Sequence, residues 1–214
     1  MAQKLAEAKK SDEECKRERR ESFIDYGSVS RYWGRAAQQD AFIIKVKPNA
    51  SVVIITPLLK ENNVKNIIDI GCGAGSDAIF LAKQGFNVTA LDFSKEALDV
   101  AAKRIKKEMI GNVHPLLADA EKIPARNGAF DAALCMGLFG GYGYGIDLDN
   151  RLLASEIERI LKPGGILLFA GWFSESEVEG LFKNFKPIQN DKLREDIEWE
   201  ERFFSAVLLL RKNE

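Results

Sequence analysis

Two kinds of hydrophobic pattern alternate along this chain. Continuous apolar runs are typical of strands buried on both faces of a parallel sheet, whereas apolar residues at every third or fourth position are typical of helices that bury one side. The continuous runs predict strands at 67–70, 87–92, 113–118, 130–136 and 166–170. The spaced segments predict a short helix around 51–59 and helices at 77–84, from Ser94 to Gly111, and at 149–161. This alternation predicts an α/β fold with parallel strands.

The C-terminal part follows a different pattern. A capping box at 174–177 predicts the start of a helix, with Phe182 and Phe185 on its buried face. Two extended runs follow, 196–199 and 203–210, with no helix-length spacer between them. Strands joined without a crossover helix pair antiparallel. The whole pattern therefore predicts a doubly wound, mostly parallel seven-stranded sheet that ends in an antiparallel hairpin.

A glycine-rich turn follows the first strand. Gly71, Gly73 and Gly75 allow the backbone to turn sharply and to approach a ligand closely, and Asp92 closes the next strand. A dinucleotide fingerprint, G-x-G-x-x-G, would need glycine at position 76, where this chain has Ser76. A pyrophosphate cradle is thus disfavoured. The spacing favours a ligand that has an adenosyl group but no phosphates.

Three segments in this order, 69–92, 117–124 and 161–165, resemble class I S-adenosylmethionine-dependent methyltransferases. The likeness runs from about Asn49 to the end of the chain. It implies a Rossmann-like methyltransferase fold for residues 49–214, with S-adenosyl-L-methionine as the cofactor. Residues 1–48 are then an N-terminal extension, and its aromatic residues predict a cap over the site.

The resemblance also implies which residues contact the cofactor. Asp92 accepts hydrogen bonds from the ribose hydroxyls, with capping of the following helix as the alternative. Asp119 and Ala120 contact the adenine, unless Asp119 only forms a turn. Asp69 either holds the amides of the glycine-rich turn or reaches the cofactor's amino group through water.

Further residues are expected beside the cofactor. Phe93 either stacks on the adenine or packs into the core at the start of the next helix. Cys72 and Cys135 lie at the ends of adjacent predicted strands, and both are interpreted as small side chains packed under the nucleoside rather than as reactive thiols. The expected cofactor contacts are Asp69, Gly71, Cys72, Gly73, Gly75, Asp92, Phe93, Asp119, Ala120 and Cys135.

The methyl acceptor is expected to bind between the loop after the fourth strand and the N-terminal extension. Tyr142 and Tyr144 lie in a glycine-rich loop, 137–145, that suits a pocket closing over a small ligand; a merely mobile loop is the alternative. Tyr32 and Trp33 are the candidates in the extension. No catalytic residue is assigned, because a sulfonium already activates its methyl group and alignment supplies most of the acceleration.

The composition limits the kinds of partner that this protein is expected to bind. At 214 residues, with 46% hydrophobic and 29% charged residues, the chain fits one α/β domain. A formal net charge of -1 gives no field that attracts phosphate backbones, so a nucleic-acid partner is not expected. The apolar runs are too short to span a bilayer and the N-terminus has no apolar signal core, which predicts a cytoplasmic location without a membrane partner. Three cysteines without CxxC spacing and a single histidine argue against a metal site.

The sequence therefore predicts an enzyme, an S-adenosylmethionine-dependent methyltransferase that acts on a small molecule. Two alternatives stay open. Arginines near the N-terminus would support a protein or RNA substrate if they formed one basic face: Arg17, Arg19, Arg20, Arg31 and Arg35. Otherwise the chain would be a binding protein that keeps the cofactor fold without catalysis.

Overall fold

Strands and helices alternate along the chain as the sequence predicts. The computed structural model describes residues 47–139, 149–171, 177, 180–188 and 206–213. Its strands are β1 (Asn66–Ile70), β2 (Asn87–Asp92), β3 (Val113–Leu117), β4 (Phe130–Phe139), β5 (Leu161–Gly171), β6 (Phe185–Pro187) and β7 (Ala206–Lys212). Before and between them lie helices α1 (Ala50–Glu61), α2 (Ser76–Lys83), α3 (Lys95–Lys107) and α4 (Asn150–Ile160). No helix in these ranges has both the length and the apolar character needed to span a membrane.

The strands β1 to β7 belong to one sheet, in the order β3-β2-β1-β4-β5-β7-β6. Neighbouring strands among β1 to β5 run parallel, and β7 is antiparallel to both β5 and β6. The chain winds outward from β1 to β3 and then crosses back to β4, so strand order reverses between β1 and β4. The predicted doubly wound, mostly parallel sheet with an antiparallel end is therefore confirmed.

Helices cover both faces of the sheet. Ile67 of β1 packs with apolar residues of α1, α2 and α3, whereas the next residue, Ile68, packs with α4 on the opposite face. Both isoleucines are fully buried. Because successive side chains of a strand point to opposite faces, a strand covered on both faces has a continuous apolar sequence. This explains why the apolar run alone identified β1.

The predicted boundary between α4 and β5 is wrong. β5 begins at Leu161 and not at residue 166, because Leu161 already pairs with Phe130 of β4. The register then shifts before Ile166 resumes the pairing, so the intervening Lys-Pro-Gly-Gly segment forms an irregularity inside the strand. Gly165 suits this irregularity, because a Cβ on it would lie 2.8 Å from the carbonyl oxygen of Lys162.

The outermost strand of the antiparallel end also differs from the prediction. The sequence pattern places Phe185 on the buried face of a helix, but Phe185 begins β6 and pairs with β7. The run 196–199, which the pattern assigns to this place, lies outside the described residues. Phe185 is nevertheless buried, and its ring meets that of Phe182 edge to face, with centroids 5.3 Å apart. The apolar spacing thus indicated burial but not the type of element.

The C-terminus of α3 holds a methionine in the left-handed region of backbone space. Met109 has a φ of 53°, and its amide donates to the carbonyl of Lys106 (3.2 Å), while the amide of Ile110 donates to that of Ile105 (3.1 Å). This is a Schellman turn, in which glycine usually occupies the position of Met109. A Cβ in this region costs roughly 1–2 kcal/mol. Since the residue is 91% exposed, its side chain contributes little packing.

We expect Met109→Gly to raise the free energy of unfolding by about 0.5–1 kcal/mol, after the larger chain entropy of glycine is deducted. Thermal unfolding should show a midpoint about 1–4 °C higher. Met109→Ala is the matched control, because it removes the exposed side chain but keeps the Cβ. Equal midpoints for the two variants would show that backbone conformation at residue 109 is not the cause.

Candidate functional site

The crevice where strand order reverses lies between the carboxyl ends of β1 and β4. β1 runs directly into residues 71–75, here called the glycine turn. The amides of Gly71 and Cys72 both donate to the carbonyl of Leu91 in β2 (2.8 and 2.9 Å), and the amide of Gly75 donates to the carbonyl of Cys72 (2.9 Å). The first two bonds attach the turn to the end of β2, and the third closes the turn itself. In open α/β sheets, ligands bind at such a crevice.

Two glycines of the turn are required by crowding as well as by backbone conformation. Gly71 and Gly75 have φ values of 75° and 76°, in the region that side chains rarely adopt. A Cβ on Gly71 would lie 2.9 Å from the side chain of Leu138, and one on Gly75 would lie 3.1 Å from the Cβ of Ala101. Around Gly73, by contrast, no described atom lies within 4 Å of the place a Cβ would take. The middle of the turn therefore leaves room for a ligand to approach the backbone.

Asp92, at the end of β2, is a buried carboxylate that accepts from two backbone amides. Its Oδ2 accepts from Gly73 (2.8 Å) and its Oδ1 from Ser94 (2.8 Å). Burial raises the pKa of Asp92, although hydrogen bonds from backbone amides, those of Ser94 and Gly73 foremost, oppose the shift. The N-cap of α3 is Ser94, as predicted, because its hydroxyl accepts from the amide of Ala97 (3.2 Å). Asp92 therefore joins the glycine turn to the start of α3 and does not itself cap the helix.

Asp69 is a buried carboxylate with an oxygen that lacks a partner. It is 3% exposed, and its Oδ2 has no hydrogen-bond partner among the described residues. Burial raises the pKa of Asp69 well above its ordinary value of 3.8, and the nearby charges of Asp77 and Asp92 raise it further. A hydrogen bond from the amide of Ala78 opposes this shift. We call Asp69, Asp77 and Asp92 the acidic cluster.

Asp77 is a member of the acidic cluster that sequence reasoning missed. It lies in the first turn of α2, directly after the glycine turn, and is 8% exposed. The backbone amide of Asn49 donates to its Oδ1 (2.7 Å) and the side-chain amide of Asn49 donates to its Oδ2 (2.5 Å). The only signal in the sequence is an aspartate in the first turn of a helix, where the helix dipole favours negative charge.

The sequence predicts the two cysteines at the ends of adjacent strands, and Cys72 does follow β1, but Cys135 lies inside β4, which continues to Phe139. Cys135 of β4 is fully buried and pairs in register with Ile70, the last residue of β1, while Cys72 lies inside the glycine turn. Burial raises the pKa of both thiols, and the charge of Asp69 adds to the effect. Both are therefore protonated thiols at neutral pH, consistent with small packing side chains. Phe93, next to Asp92, is half-buried.

The loop after β3 brings the expected adenine contacts to the end of β2. The amide of Ala118 donates to the carbonyl of Asp92 (3.1 Å), which continues the pairing of the two strands. The next residue, Asp119, is exposed, and its Oδ1 accepts from the amide of Glu121 (2.9 Å), so its side chain does form a local turn. Ala120 is buried at 8% exposure. The two candidates thus lie beside Asp92, and whether they contact adenine stays a prediction.

An ion pair on α4 anchors this loop. Arg159 donates to both carboxylate oxygens of Glu156 (2.7 Å each) and to the carbonyls of Ile123 (2.8 Å) and Ala125 (2.6 Å). Glu156 in turn accepts from the amide of Ile123 (2.8 Å). The hydrogen bond from Arg159 lowers the pKa of Glu156 despite its partial burial. The loop that carries Asp119 is therefore held by charge-assisted bonds and not only by the strand before it.

The remaining expectations concern the acceptor and metals. Tyr32, Trp33, Tyr142 and Tyr144 lie outside the described residues. Within residues that are described, no three His, Cys, Asp or Glu side chains form a group that could hold a metal ion.

The sequence of this region also matches known proteins. Residues 67–165 match a family described as a methyltransferase domain. Residues 67–165 are therefore a methyltransferase domain. The methyltransferase domain is similar to demethylmenaquinone methyltransferase of Leptospira interrogans, with 38% identity over 117 residues, which cover 50% of this chain and 44% of that protein. It is also similar to malonyl-[acyl-carrier protein] O-methyltransferase of Salmonella typhimurium, with 31% identity over 146 residues, or 68% and 54% of the two chains. The chain spans about half the length of these curated relatives.

Solved structures share the fold of the methyltransferase domain. A putative S-adenosylmethionine-dependent methyltransferase from Methanococcus maripaludis aligns with a TM-score of 0.55 at 20% identity, covering 86% of this chain and 91% of that one. A protein named as a [4+2]-cyclase, SpnF, aligns with a TM-score of 0.56 at 20% identity, covering 74% and 80%. At such identities the likeness establishes the fold alone. Since the second protein is named for a different reaction, the fold does not decide the chemistry.

We expect Gly75→Ala to destabilise the methyltransferase domain more than Gly73→Ala does. Both changes put a Cβ into left-handed backbone, at a cost of roughly 1–2 kcal/mol, but only Gly75→Ala also crowds Ala101, which adds about 1 kcal/mol or more. Denaturant unfolding of both variants measures the difference. Ala101→Gly costs about 1 kcal/mol by itself in a helix interior, but combined with Gly75→Ala its effect should be less than additive, because it relieves the crowding. Equal stabilities of Gly75→Ala and Gly73→Ala would contradict the crowding.

Proposed function

We propose that this chain binds S-adenosyl-L-methionine and transfers its methyl group to a small-molecule acceptor. The observation that carries the proposal is the acidic cluster beside the glycine turn, in which Oδ2 of the buried Asp69 has no partner among the described residues. A buried carboxylate is costly unless a donor or a cation accompanies it. The ammonium of a methionine group is both a donor and a cation.

The residues present fit this cofactor. Asp69 Oδ2 would accept from the ammonium, and Asp92 would accept from ribose hydroxyls, since its backbone amide donors leave part of the acceptor capacity of a carboxylate free. Asp119 and Ala120 would contact the adenine. Gly73 leaves room for the ligand beside the backbone. When bound, the cofactor supplies a methyl group that its own sulfonium has already activated.

The charge of the acidic cluster also discriminates between ligands. The pyrophosphate of a dinucleotide is anionic, so carboxylates at close range would repel it. An ammonium and a sulfonium would both be attracted by the same groups. Ser76, at the position where a dinucleotide fingerprint has glycine, supports the same choice.

The chain's own contribution to methyl transfer is alignment. A nucleophilic atom must lie in line with the bond that breaks, and holding it there supplies most of the acceleration. The glycine turn is fixed from β2 through Leu91 and Asp92, so the backbone against which the cofactor lies is rigid. Leu138 of β4 lies over Gly71 and fills the crevice on that side.

A small acceptor is supported by charge and by similarity. A net charge of -1 offers no general attraction to nucleic acid. Of the two relatives described above, the first is named for demethylmenaquinone, a small molecule, whereas the second is named for a malonyl group carried on a protein. The identity of the acceptor atom does not follow from the described residues.

We expect Asp69→Asn to weaken binding of S-adenosylmethionine by about 10–100-fold, the scale of a hydrogen bond to a charged group. The same change should stabilise the ligand-free protein. Because the pKa of Asp69 is raised on folding, the folded state holds the proton more tightly than the unfolded chain, and stability falls as pH rises through the raised pKa. The gain from Asp69→Asn should therefore be larger at about pH 8 than at about pH 4.

Titration calorimetry and thermal unfolding measure these two effects. Asp99→Asn is the matched control, because Asp99 is an exposed aspartate on α3 that pairs with Lys95, and neither effect is expected there. Equal affinity of wild type and Asp69→Asn would refute the ammonium contact. Wild-type binding of NAD as tight as that of S-adenosylmethionine would refute the proposed cofactor.

The acceptor class is tested with S-adenosylmethionine that carries a labelled methyl group. We expect the wild-type protein to transfer label into the low-molecular-weight fraction of a cell extract, and the transfer to fall in Asp69→Asn at a cofactor concentration below saturation. Label found in protein or RNA would contradict a small-molecule acceptor. Cofactor binding without any transfer would favour a non-catalytic binding protein.

A further inference from the structure

A side chain of α3 also contacts the glycine turn, which β2 holds through Leu91 and Asp92. Nη1 of Arg104 donates to the carbonyl of Ala74 (2.6 Å) and to the hydroxyl of Ser76 (3.0 Å). Both acceptors lie where the turn passes into α2. A guanidinium is charged at every physiological pH and has a planar, fixed set of donors, so it holds two acceptors in a defined geometry.

Ala101, about one helical turn before Arg104, also lies against the glycine turn. Ala101 precedes Arg104 by three residues, which places both on one side of the helix. Ala101 is fully buried, and its Cβ lies 3.1 Å from where a Cβ of Gly75 would be. The small side chain of Ala101 allows α3 to lie close to residues 74–76, and the long side chain of Arg104 forms hydrogen bonds with them.

Because of these contacts, β2 and α3 together hold the whole glycine turn. Leu91 and Asp92 hold its first half through the amides of residues 71–73, and α3 holds its second half. Such restraint matters because glycines lose more conformational freedom on folding than other residues do. A turn rich in glycine keeps a single shape only when its surroundings impose it.

We propose that Arg104 is a positioning residue that fixes the second half of the glycine turn in the conformation that binds the cofactor. The proposal rests on the proposed function for the identity of the ligand, but its structural part does not. It also gives Ser76 a role. A glycine at position 76, as in a dinucleotide fingerprint, would have no hydroxyl for Arg104, so the serine belongs to the device that shapes this turn.

The experiment compares Arg104→Gln, Arg104→Lys and the control Lys103→Gln, which removes a charge from the exposed neighbour on the same helix. Hydrogen exchange of the peptide that contains residues 71–76 is measured without ligand, and binding of S-adenosylhomocysteine is measured by calorimetry. We expect faster exchange in Arg104→Gln and a dissociation constant raised about 5–30-fold. Arg104→Lys should recover part of the affinity, and Lys103→Gln should stay within about threefold of wild type.

A positioning role and a general loss of stability are separated by Ser76→Ala, which removes one of the two acceptors and leaves Arg104 in place. The effects of Ser76→Ala and Arg104→Gln on affinity should be less than additive, because both remove the hydrogen bond between Arg104 and Ser76.

Unchanged hydrogen exchange of residues 71–76 in Arg104→Gln would overturn the inference whether or not the protein binds the cofactor. Faster exchange with unchanged affinity, in a wild type that binds, would also overturn it. Failure of the wild type to bind at all would refute the proposed function instead, and exchange would still decide the role of Arg104.

Discussion

The carboxylate of Asp92 joins the parts on which the site depends. One oxygen binds the glycine turn that follows β1, and the other binds the amide at the start of α3. A single side chain at the end of β2 thus connects two successive βα units at the crevice where strand order reverses. Because Asp92 is 7% exposed, water cannot readily replace either bond, and the loss of one would leave a buried charge short of a donor.

The acidic cluster works against folding in the free protein. Burial disfavours the ionised form and raises the pKa of both Asp69 and Asp92, and the charges of Asp77 and Asp92 raise the pKa of Asp69 further. Asp77 is relieved by two hydrogen bonds from Asn49, and Asp92 by backbone amides, but one oxygen of Asp69 has no such relief among the described residues. A cationic ligand would remove the cost and so would couple its own binding to the stability of the domain.

Features that follow from local pattern could be predicted from the sequence. The succession of parallel strands, the glycine turn and the cap at Ser94 were all predictable, because burial on both faces, left-handed backbone and an N-terminal hydroxyl each select a few residue types. The long-range contacts were not. Asn49 and Asp77 are separated by 28 residues and Arg104 and Ala74 by 30, and no local pattern indicates such pairs. The extra length of β5 was missed because Pro163 and Gly164 are typical of a turn, although pairing with β4 begins before them.

The place of β7 in the sheet has a consequence for how the chain is made. β7 lies between β5 and β6, so among the described residues the edge of β5 is covered by residues 206–212, close to the end of the described chain. A ribosome that has released the protein as far as β5 has already produced the parallel core, with the backbone donors and acceptors of an inner strand still open to other chains. The edge of β5 therefore stays exposed in the nascent protein until residues 206–212 have been made and have paired with it. Pairing with β7 protects this edge from association only once that last pairing has formed.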